Sequence, residues 1–352
     1  MADRAGLESI LNRAAEMRAL VVGDLMLDEY RHGEIERTSP EAPVPVVRVA
    51  ERSFALGGAG NVACNVLSLG ARCELVGVVG ADPEGARFVA EMAAVGLDDS
   101  AVIVSSSRPT THKLRVVARA QQLVRLDRED HSALDPDVAQ ALRDAVVARL
   151  PNCDVVILED YDKGVFREGL AARIIEEARA HGCIVVADPK SDLRRFRGAD
   201  LVKPNLLEAT HFVDVAGDDL DTRRSLLEKL REELGGGEVV ITRGDQGMSA
   251  LDEQGLFYDV PTVPLEVFDV QGAGDTSVAV LALCRAAGAS LAEACIVANA
   301  AGSVAVEKVG TATVDDQELR ARLPEVLAAA ERSVGTESKA GTESTTESRE
   351  RS

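Results

Sequence analysis

Short runs of apolar, largely β-branched residues recur along this chain, separated by longer stretches with helical spacing. The runs are Ala19–Leu25, Cys73–Gly80, Cys153–Asp160, Cys183–Pro189 and Glu238–Gly244. A strand with one wet face alternates apolar and polar residues; these runs do not, so both of their faces must be covered. Pro83–Val95, Pro136–Leu150, Arg167–His181 and Leu220–Leu234 read as the covering helices. The alternation predicts an α/β fold, a doubly wound, mostly parallel sheet flanked by helices. With 352 residues and 46% hydrophobic content the chain can bury a large core, and with 3% aromatics that core must be Val, Leu, Ile and Ala.

Two stretches break the rhythm. Ala42–Phe54 and Thr111–Glu129 alternate with period two, as strands with one solvated face do. They are expected to pair as a small antiparallel sheet, with lid strands within about 30–55 and 108–130; a lid over a site and a plain edge extension both remain open. The last residues repeat Thr-Glu-Ser without a large apolar side chain, so 333–352 is expected to be a disordered tail after a single unit, 1–330.

A formal charge of −20 argues against nucleic acid or an anionic membrane as partner. Small anions stay possible, because screening over about 8 Å lets a few local Lys and Arg dominate a pocket. The six cysteines form no CxxC pair and sit in apolar runs, which suits buried free thiols in a reducing cytosol. No run approaches the ~18 apolar residues of a membrane span, and the N-terminus lacks a signal peptide's apolar core, so a cytoplasmic protein is expected.

Several motifs can carry chemistry. Gly272, Ala273 and Gly274 precede Asp275 and a helical run from Thr276 to Ala287. Unpaired N–H groups at a helix start attract phosphate oxygens, and Asp275 would stand where an acceptor hydroxyl approaches. The bland alternative is a turn and a cap. Gly57, Gly58 and Gly60 allow close backbone approach, and Asn61 offers both donor and acceptor to a sugar hydroxyl. These glycines are not read as following a strand and opening a helix in the G-x-G-x-x-G manner, which argues against a nicotinamide dehydrogenase. Asp24 and Asp28 stand at the carboxyl end of the first strand, where open sheets bind ligands. Asn205 and Glu208, three apart, suit either Mg²⁺ held through water or a helix cap. Gly244 and Gly247 suit a nucleotide's phosphates or a hairpin turn.

Taken together these motifs resemble the PfkB, or ribokinase-like, sugar kinase family. Gly57-Gly58-Ala59 with Asn61, Ala63, Gly70 and Gly80 is similar to its first signature, Asp269 through Leu281 to its second, and Asn205 to Glu208 to its Asn-x-x-Glu motif. The resemblance covers about 19–318. Within the family, Val21–Val49, Thr111–Glu129, Glu159–Val165, Val186–Lys190 and Val267–Thr276 are similar to the bacterial D-glycero-β-D-manno-heptose 7-phosphate kinases, in their stand-alone form.

The resemblance implies a ribokinase-like fold and ATP-dependent phosphorylation of O1 of the heptose 7-phosphate, on the route to ADP-heptose for lipopolysaccharide core. It implies Asp275 as base, with Gly272, Ala273 and Gly274 as anion hole. Asn205 and Glu208 would serve Mg²⁺ and ATP, with Thr242, Arg243, Gly244, Gly247 and Asn299 along the nucleotide groove. Asp28, Gly57, Gly58 and Asn61 would hold the sugar, Lys113 and Arg115 its phosphate, and Lys163, Lys190 and Lys203 would neutralise further charge. A homodimer through the lid is expected, and a monovalent cation is left open. Three residues depart from the pattern: Gln271 where Thr is common, Val280 where Gly or Ala is usual, and Glu159 where some relatives have Ser. Another sugar or nucleoside kinase of the family is the runner-up; a non-catalytic relative would lack the Asp, the glycines or the Asn-x-x-Glu pair, and all are present.

Overall fold

A computed structural model describes residues 3–343 except 120, 216, 218 and 264–266, with side chains described up to 330. The strands are β1 (Arg18–Gly23), β2 (Leu25–Thr38), β3 (Pro45–Gly58), β4 (Arg72–Gly80), β5 (Val102–Ser105), β6 (Thr111–Ala118), β7 (Gln121–Arg128), β8 (Val155–Glu159), β9 (Ile184–Asp188), β10 (Leu201–Val202), β11 (Glu238–Thr242), β12 (Met248–Leu251) and β13 (Phe257–Val260). Nine of them make the main sheet, in the order β13-β12-β11-β10-β9-β8-β1-β4-β5. It is parallel except at β11/β12 and β12/β13. The five predicted runs all lie in it.

The helices are α1 (Arg4–Ala14), α2 (Ala59–Ser68), α3 (Pro83–Ala94), α4 (Pro136–Val147), α5 (Leu170–Ala180), α6 (Leu206–Val213), α7 (Leu220–Glu233), α8 (Ala273–Ala286), α9 (Leu291–Ala305) and α10 (Asp316–Glu343). They cover both faces of the sheet. Leu20 and Val22 point into one core with Val156 and Leu158; Ala19 and Val21 point into the other with Leu75 and Ile157. Each fully buried Val, Leu or Ile contributes about 1.5–3 kcal/mol, so the period-two division of β1 and β8 between two cores fixes their register. α8 is buried from Asp275 through Cys284 and packs on α2 and α9. Its lack of an amphipathic pattern is that of a helix enclosed on all sides.

Four strands form a second sheet, β3-β2-β6-β7. The two period-two stretches do not pair with each other as expected: β2 lies between them, antiparallel to β3 and parallel to β6. The first part of β2 escaped notice because Leu25 through Glu29 are all buried, which erases its alternation. β1 leads into β2 after one residue, so this lid springs from the carboxyl edge of the main sheet. There β1 pairs with β4 on one side and β8 on the other, and the divergence of chain direction opens a crevice suited to ligands.

The glycines at 57–60 also differ from the reading above. β3 ends at Gly58 and α2 begins at Ala59, so they do close a strand and open a helix. That strand belongs to the lid rather than to a βαβ unit. At the far end, the backbone of α10 runs to Glu343. The rest of the expected tail, 344–352, lies outside the described residues.

Candidate active site

Asp275 lies in the first turn of α8, whose N-cap is Gly272 in the left-handed conformation (φ 81°). α8 starts three residues before the predicted helical run, which puts Asp275 inside the helix. Its carboxylate is 3% exposed. The Asn61 amide donates to Oδ2 at 2.6 Å and the Tyr161 hydroxyl donates to Oδ1 at 2.7 Å. Burial lifts Asp275 from 3.8 to about 6, against the pull of those two donors. A carboxylate poised there is charged near neutral pH yet can take a proton. Asn61 stands in the first turn of α2, and a Cβ on Gly272 would come within 2.8 Å of its Nδ2. Asn65, one turn on, donates to the Asn61 carbonyl and accepts from the Thr276 hydroxyl, tying α2 to α8.

The N-terminus of α8 opens onto a cavity of 1030 Å³. Gly274 and Asp275 are first-turn residues whose N–H groups have no acceptor within the helix. Of the three expected anion-hole donors, Ala273 is already directed at the Val270 carbonyl, at 3.4 Å. Lys203 Nζ stands 3.9 Å from where a Cβ on Gly274 would be. It is buried, and Asp188 at 2.7 Å outweighs burial to keep it protonated. Glu159, at the end of β8, is 2% exposed, and its Oε2 is buried without a partner. Burial, then Asp188 and Asp275, push its carboxyl well above the ordinary range.

Asn205, Glu208, Thr242, Gly244, Gly247 and Asn299, the nucleotide-groove candidates other than Arg243, line this cavity, and so does Lys190. Asn205 and Glu208 form a full capping box on α6, each side chain accepting from the other's backbone N–H at 2.9 Å. Lys190 donates to the other Glu208 oxygen at 2.8 Å. The turn Gly244–Gln246 joins β11 to β12, so the hairpin reading of this stretch holds as well. Arg243 is not on the cavity wall; it is buried, donates to Asp259 Oδ1 at 3.0 Å and to the Gln246 carbonyl, and braces the hairpin.

The expected sugar-holding residues lie on the lid side of Asp275 rather than on the wall of that cavity. Asp28 is on β2, 2% exposed, and accepts from Arg115 Nη1 at 2.5 Å. Burial raises its carboxyl, and Arg115 opposes the rise. Arg115 lies 5.3 Å over the Tyr30 ring, so it is committed to Asp28 and Tyr30. A Cβ on Gly57 would meet Asp28 Oδ2 at 2.5 Å, and one on Gly58 (φ 58°) would meet the Asp24 carbonyl at 2.4 Å. Lys113 and Lys163 meet at Glu129. Gln271 receives the Tyr30 hydroxyl at 3.3 Å, and its own N–H is held by Asp269. The two departures from the expected pattern nearest Asp275, Gln271 and Glu159, thus touch the lid and the cavity respectively.

Sequence reading missed Tyr161, Asn65 and Asp188. Tyr161 leaves the crevice edge of β8, where its N–H and that of Lys163 donate to Asp24 Oδ2. Its place beside the sheet's switch point is the one signal that could have found it.

Residues 18–318 match the sequence model of the pfkB family carbohydrate kinases. The bifunctional protein HldE of Pelobacter propionicus is 41% identical over 318 residues, 90% of this chain and 65% of that protein. HldE of Gluconacetobacter diazotrophicus is 43% identical over 314 residues, 88% of this chain and 64% of that protein. The chain thus spans about 65% of the length of these relatives. Among solved structures, a putative ribokinase from Agrobacterium tumefaciens superposes with a TM-score of 0.72 at 19% identity, covering 89% of this chain and 99% of that one. Phosphofructokinase-2 from Escherichia coli in complex with substrates and products gives 0.73 at 22% identity, covering 88% and 99%. These likenesses carry the ribokinase-like fold.

Proposed function

This chain belongs to the pfkB family of carbohydrate kinases, and from that membership we propose that it phosphorylates O1 of D-glycero-β-D-manno-heptose 7-phosphate with ATP, giving the 1,7-bisphosphate in ADP-heptose and lipopolysaccharide core synthesis. The heptose reading is supported by the motifs that resemble the heptose 7-phosphate kinases and by 41% identity to the bifunctional protein HldE of Pelobacter propionicus. The observation that carries the transfer chemistry is Asp275: a buried carboxylate, oriented by Asn61 and Tyr161, at the N-terminus of a helix that opens onto a large cavity.

In this reading Asp275 takes the proton of the O1 hydroxyl. The Gly274 and Asp275 N–H groups, with Lys203, face the charge that develops on the transferred group. Asp28 and Asn61 orient the sugar hydroxyls, and Gly57 leaves room for them beside Asp28. Closure of the lid over Asp28 keeps water from competing as acceptor.

The residues present fit ATP with Mg²⁺. The candidate donors, Asn205, Glu208 and the orphaned Glu159 Oε2, are all oxygens, as suits a hard ion bound largely through water. Among the described residues no group of three or more His, Cys, Asp or Glu is arranged to hold a metal directly. Mg²⁺ would supply charge neutralisation on the ATP phosphates; Lys190 would share Glu208 with it. Gly244, Gly247 and Asn299 would line the nucleotide.

We assign 1–330 as the kinase unit, in the cytoplasm, and pair it as a homodimer through the lid, where Val49, Val124 and Leu126 expose apolar surface. Among the described residues no helix is long and apolar enough to cross a membrane. The test is ADP release against an acceptor panel: heptose 7-phosphate, fructose 6-phosphate, ribose and a nucleoside, with and without Mg²⁺. Heptose 7-phosphate is expected to give the highest kcat/KM; a better acceptor elsewhere in the panel would move the assignment to another family member.

A further inference from the structure

Two lysines from separate parts of the chain meet at one carboxylate beside the lid, and an arginine braces the backbone next to one of them. Lys113 projects from β6, Lys163 from the segment after β8, and Arg108 from the segment before β6. The Lys113 and Lys163 side chains are only 14% and 11% exposed. Both reach one oxygen, Glu129 Oε2, at 3.3 and 2.9 Å, and Lys113 also reaches Asp127 at 3.3 Å. Arg108 Nη2 donates to the backbone carbonyls of Asp130 and Lys163. Its Nη1 is buried without a hydrogen-bond partner. A buried guanidinium N–H without a partner is costly.

The cluster stands next to the acceptor side of Asp275. Lys163 N–H and Tyr161 N–H share Asp24 Oδ2, and the Tyr161 hydroxyl touches Asp275. Lys113 is the register partner of Asp28 across β2 and β6. An acceptor with its reacting hydroxyl at Asp275 and its other hydroxyls near Asp28 would extend its far end toward these cations.

We propose that Glu129 is a resident counter-anion, holding Lys113 and Lys163 where the phosphate ester of a sugar phosphate binds, and that the substrate displaces it. A single carboxylate oxygen serves two ammoniums poorly. A phosphate dianion brings three oxygens and twice the charge, enough for both lysines. Glu129 lies one residue past β7, so it can swing aside without breaking a strand ladder. The ammoniums outweigh the effect of burial and bring its carboxyl down to about 2, so it stays charged and competes at every working pH. Glu129 would therefore set how strongly the enzyme prefers a phosphorylated acceptor over a plain sugar. His131 Nε2 lies 3.0 Å from the other Glu129 oxygen.

The inference rests on reading the acceptor as a sugar phosphate, and its test separates the two. Inorganic phosphate is titrated calorimetrically into the wild type, Glu129→Gln and Lys163→Met, and the KM for heptose 7-phosphate is measured for each. Glu129→Gln is expected to tighten phosphate binding and lower that KM by roughly three- to tenfold, as for removal of two partly buried competing ion pairs. Lys163→Met is expected to weaken both, with the KM for ATP unmoved. Unchanged or weaker phosphate binding in Glu129→Gln overturns the counter-anion, whatever the enzyme phosphorylates. A wild type that binds phosphate as expected but transfers nothing to a sugar phosphate overturns the functional reading alone.

Discussion

The Asn61 side-chain nitrogen lies 2.6 Å from Asp275 Oδ2, across 214 residues of sequence. The contact joins the two glycine-rich motifs, one opening α2 and the other opening α8, into one site. Neither motif says much alone; their meeting gives Asp275 a fixed rotamer and a partner for its charge.

Asp275→Asn should remove the base while keeping the shape. We expect kcat to fall by roughly 10²–10⁴, the usual share of a positioned general base. Steady-state ADP release checks this.

The same variant should be more stable than the wild type at neutral pH. Asp275 sits at about 6 folded against 3.8 ordinarily, so the folded state binds the proton more tightly. Stability from this group is therefore greatest at low pH and lost as pH rises from about 4 to 6, on the order of 3 kcal/mol. The melting-temperature gain of Asp275→Asn should shrink as pH falls through that window; a constant gain would contradict it.

Tyr161→Phe removes one donor from Asp275. The donor holds the carboxyl down, so its loss should move the acid limb of the kcat/KM profile upward by roughly one pH unit, as for a hydrogen bond to a charged group. A limb that stays put would leave Tyr161 a packing residue.

Gly272→Ala forces a side chain into φ 81° and brings its Cβ to 2.8 Å from Asn61 Nδ2. The backbone strain costs about 1–2 kcal/mol. Chemical denaturation should show that loss, together with a drop in kcat from a displaced Asn61.

Gly57→Ala sets a Cβ 2.5 Å from Asp28 Oδ2 and 2.8 Å from Met26 Cγ. It should raise the KM for the sugar acceptor well beyond its effect on the KM for ATP. Equal effects on both would place Asp28 outside the acceptor site.

The main sheet was legible because strands buried on both faces must read as unbroken apolar runs, and β1, β4, β8, β9 and β11 do. β2 was not, since its buried first half shows neither alternation nor the flanks of a core strand. Asp275 was legible from its glycine turn, and Asn205 with Glu208 from their spacing. Tyr161 was not: a tyrosine after a strand carries no spacing signal, and what brings it to Asp275 is the order of β8 beside β1 under α8. The direction of the Arg243 side chain was not legible either, since its place in a turn does not set it; Asp259 on β13 does.

If Asp275 takes the proton from O1 of a heptose 7-phosphate, ³¹P NMR of the protein with ATP, Mg²⁺ and heptose 7-phosphate will show where the phosphate lands and whether the carboxylate is needed. A new anomeric phosphate signal is expected to grow in step with ADP in the wild type and to be nearly absent in Asp275→Asn. A phosphate appearing elsewhere on the sugar, or an anomeric signal growing as fast in Asp275→Asn, would contradict it.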